Sequence, residues 1–194
     1  MATIDKITLF PTLIYHIHDF INDEELLEIK KNIKKNKKDL VINPAFTPPA
    51  LSTHRSYNNN FLLNFPSVKE KLIKVSKLYG EDTGFKCENK INNSWFNIQK
   101  KGSMLTEHIH EMAYFSGALF IQVDNKSTEL FFYNPNPFLR FSPTGGPATP
   151  YNFEWFKIIP KNKSLVLFPA WLLHGSKGNK NKSIDRISIG FNII

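Results

Sequence analysis

Cysteine is almost missing from this sequence. Cys87 is the only one in 194 residues, so no internal disulfide can form and no cysteine-rich zinc module can be built. The scarcity suits a reducing compartment, and Cys87 is expected to pack on a strand rather than serve as a nucleophile. Long apolar runs are lacking too: no window reaches the roughly 18 residues a membrane helix needs. The opening residues, Met-Ala-Thr-Ile-Asp-Lys, lack the basic-then-apolar order of a secretion signal. A soluble, cytoplasmic protein is expected. There is no internal repeat and no composition break that separates two domains. With 41% apolar and 13% aromatic residues, the chain can bury one sizeable core, so a single domain 1–194 is expected.

Acidic residues are in short supply, 17 against 25 Lys and Arg, for a formal net charge of +8. Much of the excess lies in the run Lys30-Lys31-Asn32-Ile33-Lys34-Lys35-Asn36-Lys37-Lys38. Leu26, Ile29 and Ile33 recur there at helical spacing from about Asp23, which puts the lysines on the solvated side of an amphipathic helix. A nucleic-acid stripe would interleave Arg and aromatics with Lys, and this run has neither, which argues against a nucleic-acid partner.

The first 84 residues read as scaffold. Residues 6–18 are β-rich, Asn22 or Asp23 caps the lysine-bearing helix, Pro44 to Pro49 marks a loop, and a second helix is expected over 67–79 with Gly80 as its stop. The His16 and His18 pair is expected to occupy ordinary strand positions. From Gly84 onward the texture becomes short aromatic and β-branched runs separated by Gly, Pro and Asn. Strands are expected over 94–99, 114–123, 129–133, 153–159, 164–168 and 184–193. The Pro- and Gly-rich segment 134–152 is expected as a surface loop that helps set specificity. The division expected is 1–84 for the supporting elements and 85–194 for a mainly β core.

His108 and His110 alternate with Ile109, so on extended backbone both imidazoles face one side and can reach one ion. Alone, such a pair more often marks hydrogen-bonded or exposed histidines. A third ligand is available in His174, at the turn after the apolar run Phe168-Pro169-Ala170-Trp171-Leu172-Leu173. Trp171 is expected either to pack in the core or to border a substrate channel. Twelve residues further on, Arg186, Ser188 and Gly190 alternate with Ile187, Ile189 and Phe191, a strand with one polar and one apolar side. An inward Arg beside a hydroxyl can hold a carboxylate through charge-assisted bonds.

With these pieces in order, the sequence resembles the Fe(II)/2-oxoglutarate-dependent oxygenases, in particular a bacterial and phage-type branch. The likeness rests on Trp95-Phe96-Asn97, His108-Ile109-His110, Ser116-Gly117, Leu167-Phe168-Pro169-Ala170-Trp171-Leu172-Leu173-His174 and Arg186-Ile187-Ser188. It covers roughly 94–192 and more loosely Leu9-Phe10-Pro11. The resemblance implies a double-stranded β-helix, a cupin-like jelly roll braced by helices. It implies Fe(II) as cofactor with 2-oxoglutarate and O2 as co-reactants, and hydroxylation of an unidentified small molecule or protein side chain with release of succinate and CO2. It also implies that His108, His110 and His174 ligate iron and that Arg186 and Ser188 hold the distal carboxylate of 2-oxoglutarate. Asn97 and Ser116 would line the same pocket.

The sequence departs from the family's common His-x-Asp or His-x-Glu pattern by placing His110 at the carboxylate position. Glu107 and Glu111 flank the motif, but on a regular strand they point away, which favours three histidines. A cupin-type metalloprotein without 2-oxoglutarate and a non-catalytic module on the same fold are the alternatives. Oligomeric state is left open, a homodimer being one option.

Overall fold

The structure is a computed structural model, and it describes residues 5–55, 60–141 and 146–194. Chain order runs β1 (Tyr15–Ile17), α1 (Asp23–Lys35), β2 (Val41–Asn43), β3 (Phe46–Thr47), β4 (Ala50–Ser52), α2 (Pro66–Thr83), β5 (Ile91–Lys100) and β6 (Met104–Leu105). It continues through β7 (Phe115–Gln122), β8 (Leu130–Tyr133), β9 (Trp155–Ile158), β10 (Leu165–Pro169), β11 (His174–Gly175) and β12 (Asp185–Ile193). A seven-stranded sheet, ordered β1-β10-β7-β12-β5-β4-β2, faces a three-stranded sheet, β11-β8-β9, and β3 pairs with β6. The pairings between these strands are antiparallel.

Side-chain alternation divides the large sheet into two working faces. Phe96, Ile98, Leu119, Ile121, Ile189 and Phe191 point outward and form one buried cluster with Ile29 and Ile33 of α1 and Val68, Leu72 and Tyr79 of α2. Phe120, Val166 and Phe168 point inward and meet Leu130, Phe132 and Ile158 of the small sheet in a second cluster. The helices therefore brace the back of the sheet, leaving the space between the sheets for chemistry.

Local chemistry explains the helix ends. Asn22 accepts from the Glu25 backbone N–H at 2.8 Å, and Glu25 accepts from the Asn22 N–H at 2.9 Å, a reciprocal cap. The buried Glu25 carboxylate also ties the two helices together, accepting from Lys71 at 2.7 Å and Ser67 at 2.5 Å. Pro66 opens α2 at a position that needs no N–H, and Gly84 ends it in the left-handed region at φ 75°. Lys31, Lys34 and Lys35 are exposed, the solvated face that the periodicity of α1 predicts, and Lys37 and Lys38 are exposed in the 3-10 turn that follows.

Several boundaries differ from expectation. Helix α2 runs through Gly80 to Thr83, because Gly80 is buried against the Phe85 carbonyl, where a Cβ would sit at 3.0 Å. Only Tyr15–Ile17 of the β-rich start is a strand, and residues 5–14 have no regular structure. His16 lies in β1 and His18 just beyond it; the two rings are 4.3 Å apart, and no third metal donor joins them among the described residues. The segment expected as a loop around Pro44 to Pro49 contains β3 and adjoins β2 and β4, short strands recruited by pairing with β6 and β5. Cys87 is half-buried against the core but precedes β5 rather than lying in a strand. Trp171 is 48% exposed in the turn after β10, so it is not core packing. Of the 134–152 loop, residues 142–145 lie outside the described residues, and 139–141 form a single 3-10 turn.

Candidate metal centre and anion socket

Two backbone contacts bring the three histidines together. The His108 N–H donates to the His174 carbonyl at 3.0 Å and the His174 N–H returns the bond at 3.1 Å, while the His110 N–H donates to the Ala170 carbonyl at 2.8 Å. The close approach requires Gly175, where a Cβ would lie 3.0 Å from the Glu107 N and Cα atoms. Ligating atoms of His108, His110 and His174 all fall within 4.8 Å of one another, the only such group among the described residues.

Carbonyl oxygens only accept, so the rings' protons can be assigned. His108 Nδ1 lies 2.8 Å from the Thr106 carbonyl and His174 Nδ1 lies 2.8 Å from the Leu172 carbonyl, so each Nδ1 carries the hydrogen. Each Nε2 is then a bare lone pair. His110 Nε2 is 3.3 Å from His174 Nε2. With M–N bonds of about 2.1 Å, that separation corresponds to an angle of roughly 100° at a shared ion. Burial lowers the basicity of all three imidazoles: His108 falls below its usual value, His110 is pushed down to about 3, and His174 falls well below the ordinary range. Neutral, inward-facing imidazoles are the form a metal ion needs, so the donor set fits a divalent ion.

Neither flanking carboxylate joins the group. Glu107 is exposed and accepts a hydrogen bond from the Tyr133 hydroxyl at 2.8 Å, and Glu111 is exposed. Aromatic rings wall the centre: Trp95 stacks on His110 with centroids 5.9 Å apart, and Phe168 lies 4.6 Å from the ring of His174. Phe132 packs against Phe168 at 5.0 Å. Gly190 makes room for Trp95, since a Cβ there would approach the indole to 2.7 Å. Sequence reasoning missed His54, whose ring meets Trp95 edge-on at 4.4 Å just past β4. No spacing rule links it to a motif more than forty residues away.

The polar side of β12 faces the same interior. Arg186 is 6% exposed; its Nη1 donates to Gln99 Oε1 at 3.3 Å, its Nε is buried with no partner, and its Cζ lies 5.1 Å from the Phe120 ring. Burial alone lowers its basicity to about 10, so it stays charged at neutral pH with no carboxylate beside it among the described residues. In register, Ser188 stands opposite Asn97 on β5 and Phe120 on β7, and the buried Asn97 Oδ1 also lacks a partner. The unpartnered Arg186 Nε is a donor that an anionic ligand would satisfy, whereas the Asn97 Oδ1 on the neighbouring strand is an acceptor and calls for a ligand or water that donates. Ser116 is placed apart from these groups: its hydroxyl donates to Asn192 Oδ1 at 2.6 Å, and its register partners are Asn192 and Phe168. The sheet therefore gathers Asn97, Arg186 and Ser188, while Ser116 on β7 stands opposite Asn192, four residues beyond Ser188 on β12 and roughly 13 Å along the strand at 3.3 Å per residue.

Comparisons with known proteins agree with this architecture. The chain superposes on a prolyl-4-hydroxylase from Pseudomonas putida with a TM-score of 0.66 at 9% identity, covering 94% of each chain. It superposes on the viral collagen prolyl hydroxylase of Paramecium Bursaria Chlorella virus-1, solved with 2-oxoglutarate, with a TM-score of 0.55 at 16% identity, covering 93% of this chain and 94% of that one. HygX from Streptomyces hygroscopicus, solved with nickel and 2-oxoglutarate, gives a TM-score of 0.57 at 12% identity, covering 94% and 83%. At such identities these likenesses establish the fold, the double-stranded β-helix. No curated protein matches. The sequence profile of the family described as "Putative 2OG-Fe(II) oxygenase" matches residues 93–192, slightly more than half of the chain, and includes every element from Asn97 to Ser188. The chain belongs to the 2OG-Fe(II) oxygenases, dioxygenases that use Fe(II) and 2-oxoglutarate.

Proposed function

We propose that this oxygenase is a hydroxylase in which His108, His110 and His174 ligate iron and Arg186, with Ser188 and Asn97, holds the distal carboxylate of 2-oxoglutarate. The reaction takes 2-oxoglutarate, O2 and a substrate C–H bond to succinate, CO2 and a C–OH group, one oxygen atom entering succinate and the other the product. The carrying observation is the Arg186 guanidinium, buried, charged and without a counter-ion among the described residues, on the polar side of β12. An unpaired buried cation costs several kcal/mol, and the distal carboxylate would remove that cost.

Fe(II) with 2-oxoglutarate supplies the oxidative decarboxylation when bound; the protein's own residues supply position and environment. The Thr106 and Leu172 carbonyls hold two imidazoles in the tautomer that points Nε2 inward. Arg186 provides charge and a free Nε–H, Ser188 a hydroxyl, and Asn97 an amide NH2 that can donate to the carboxylate. Trp95, Phe132 and Phe168 exclude water from the reacting centre. Ser116, fully buried and bonded to Asn192, has no part in holding the cosubstrate in this reading. Three neutral ligands leave the centre one charge more positive than two histidines and a carboxylate would.

In this reading the chain works as one domain, 1–84 bracing the 85–194 core, and acts in the cytoplasm on a small molecule or protein side chain. Succinate release from the iron-loaded protein, screened across candidate substrates, tests it. His174→Ala and Arg186→Ala should abolish release, and turnover equal to the parent's in either would refute the assignment.

A further inference from the structure

Gln99 lies opposite Arg186 in the β5–β12 register and is 1% exposed. Both ends of its amide are engaged. Nε2 donates to the Ser103 carbonyl at 2.8 Å, and Oε1 accepts from Arg186 Nη1 at 3.3 Å. Since the Ser103 carbonyl can only accept, the amide has one orientation, NH2 toward Ser103 and oxygen toward the guanidinium. The Ser103 carbonyl is itself held, accepting from the Asn181 N–H at 2.8 Å, and the Asn181 side chain donates to the Gln99 carbonyl at 3.1 Å. The chain of bonds thus runs from a buried turn through Gln99 to one face of the guanidinium, with Nε left free.

We propose that Gln99 is a positioning residue that selects the cosubstrate: it turns the free side of Arg186 into the socket and, being neutral, leaves the full positive charge for a second carboxylate. A glutamate of the same shape would close an ion pair with Arg186 and spend that charge inside the protein. An apolar side chain would let the guanidinium rotate. The ligand class this arrangement demands is a 2-oxo diacid, in preference to a 2-oxo monoacid with the same metal-chelating head. The inference rests on Arg186 as the distal-carboxylate anchor.

The test uses the full chain loaded with Mn(II) under anaerobic conditions, with calorimetric binding of 2-oxoglutarate and of 2-oxobutanoate, which lacks the distal carboxylate. Gln99→Met should weaken 2-oxoglutarate roughly tenfold, the scale of one hydrogen bond to a charged group. Gln99→Glu should weaken it roughly a hundredfold, because a buried pair must be broken first. Binding of 2-oxobutanoate should change less than about twofold in both, since the lost hydrogen bond serves only the distal carboxylate. Equal weakening of both ligands would mean that Gln99 is merely structural, and unchanged 2-oxoglutarate affinity would mean it is irrelevant; either overturns the proposal. If Gln99→Met does not fold, the isosteric Gln99→Glu decides alone. Arg186→Met separates the two levels: if it keeps 2-oxoglutarate affinity, the anchor reading itself fails. If it loses affinity while the Gln99 variants keep theirs, only the role of Gln99 falls.

Discussion

Replacing Arg186 with Met should stabilise the ligand-free protein and at the same time remove its response to 2-oxoglutarate. The guanidinium is 6% exposed, makes one long bond of 3.3 Å to Gln99, and has an unpartnered Nε. Its fall from 12.5 to about 10 through burial corresponds to about 3 kcal/mol of destabilised charge at 1.36 kcal/mol per tenfold change in proton affinity. Methionine keeps much of the aliphatic stem against Phe120 but carries no charge. Lost packing offsets part of the gain, leaving about 1–3 kcal/mol of net stabilisation. For a chain this long each kcal/mol moves Tm by roughly 2–4 °C. Saturating 2-oxoglutarate, at about 100 times its Kd, adds about 2.7 kcal/mol to a protein that binds it. Thermal unfolding of the metal-loaded parent should therefore rise by roughly 5–10 °C with 2-oxoglutarate. The variant should start higher than the parent and not move. A variant that melts lower and still shifts with 2-oxoglutarate would refute the reasoning.

Removal of the His174 imidazole should cut metal affinity at least a hundredfold, as loss of one of three ligands does; equilibrium dialysis against Fe(II) or Ni(II) measures it. Gly190→Ala places a methyl 2.7 Å from the Trp95 indole, and should cost about 1–3 kcal/mol in denaturant unfolding. Tryptophan fluorescence should change with it, because Trp95 must tilt off His110. Burial opposes ionisation of Glu25, but bonds from Lys71, Ser67 and the Asn22 N–H outweigh it and hold the carboxyl below its ordinary 4.5. Its contribution to stability is therefore present above about pH 4.5 and disappears as pH falls through the lower folded value. Lys71→Met should lower stability near pH 7 and flatten the acid limb of the stability profile measured by urea unfolding. Asn22→Ala removes the reciprocal cap of α1 and should cost about 1 kcal/mol in the same assay.

Much of the site was legible because short motifs carry their own geometry. His108 and His110, two residues apart, lie on one side wherever the backbone is extended. Arg186, Ser188 and Gly190 share the interior face of β12 because strand period is two. The same periodicity made α1 visible through Leu26, Ile29 and Ile33. The short strands β2, β3, β4, β6 and β11 were not legible, since two or three residues carry no periodic signal and exist only through a partner. Gly80 misled for a related reason: its local meaning is a stop, and close packing on the Phe85 carbonyl overrides it.

By itself the sequence determined which residue types are available for chemistry: three histidines in place of two and a carboxylate, one inward Arg with a Ser two residues on, and a single cysteine. Tertiary structure decided which of them meet. It turned Glu107 out to Tyr133, leaving the three imidazoles to themselves. It bonded Ser116 to Asn192, away from the socket, and brought Gln99 against Arg186 and His54 against Trp95. Contacts between residues far apart in the chain depend on sheet register, and register is set by the burial of whole faces, which no local spacing encodes.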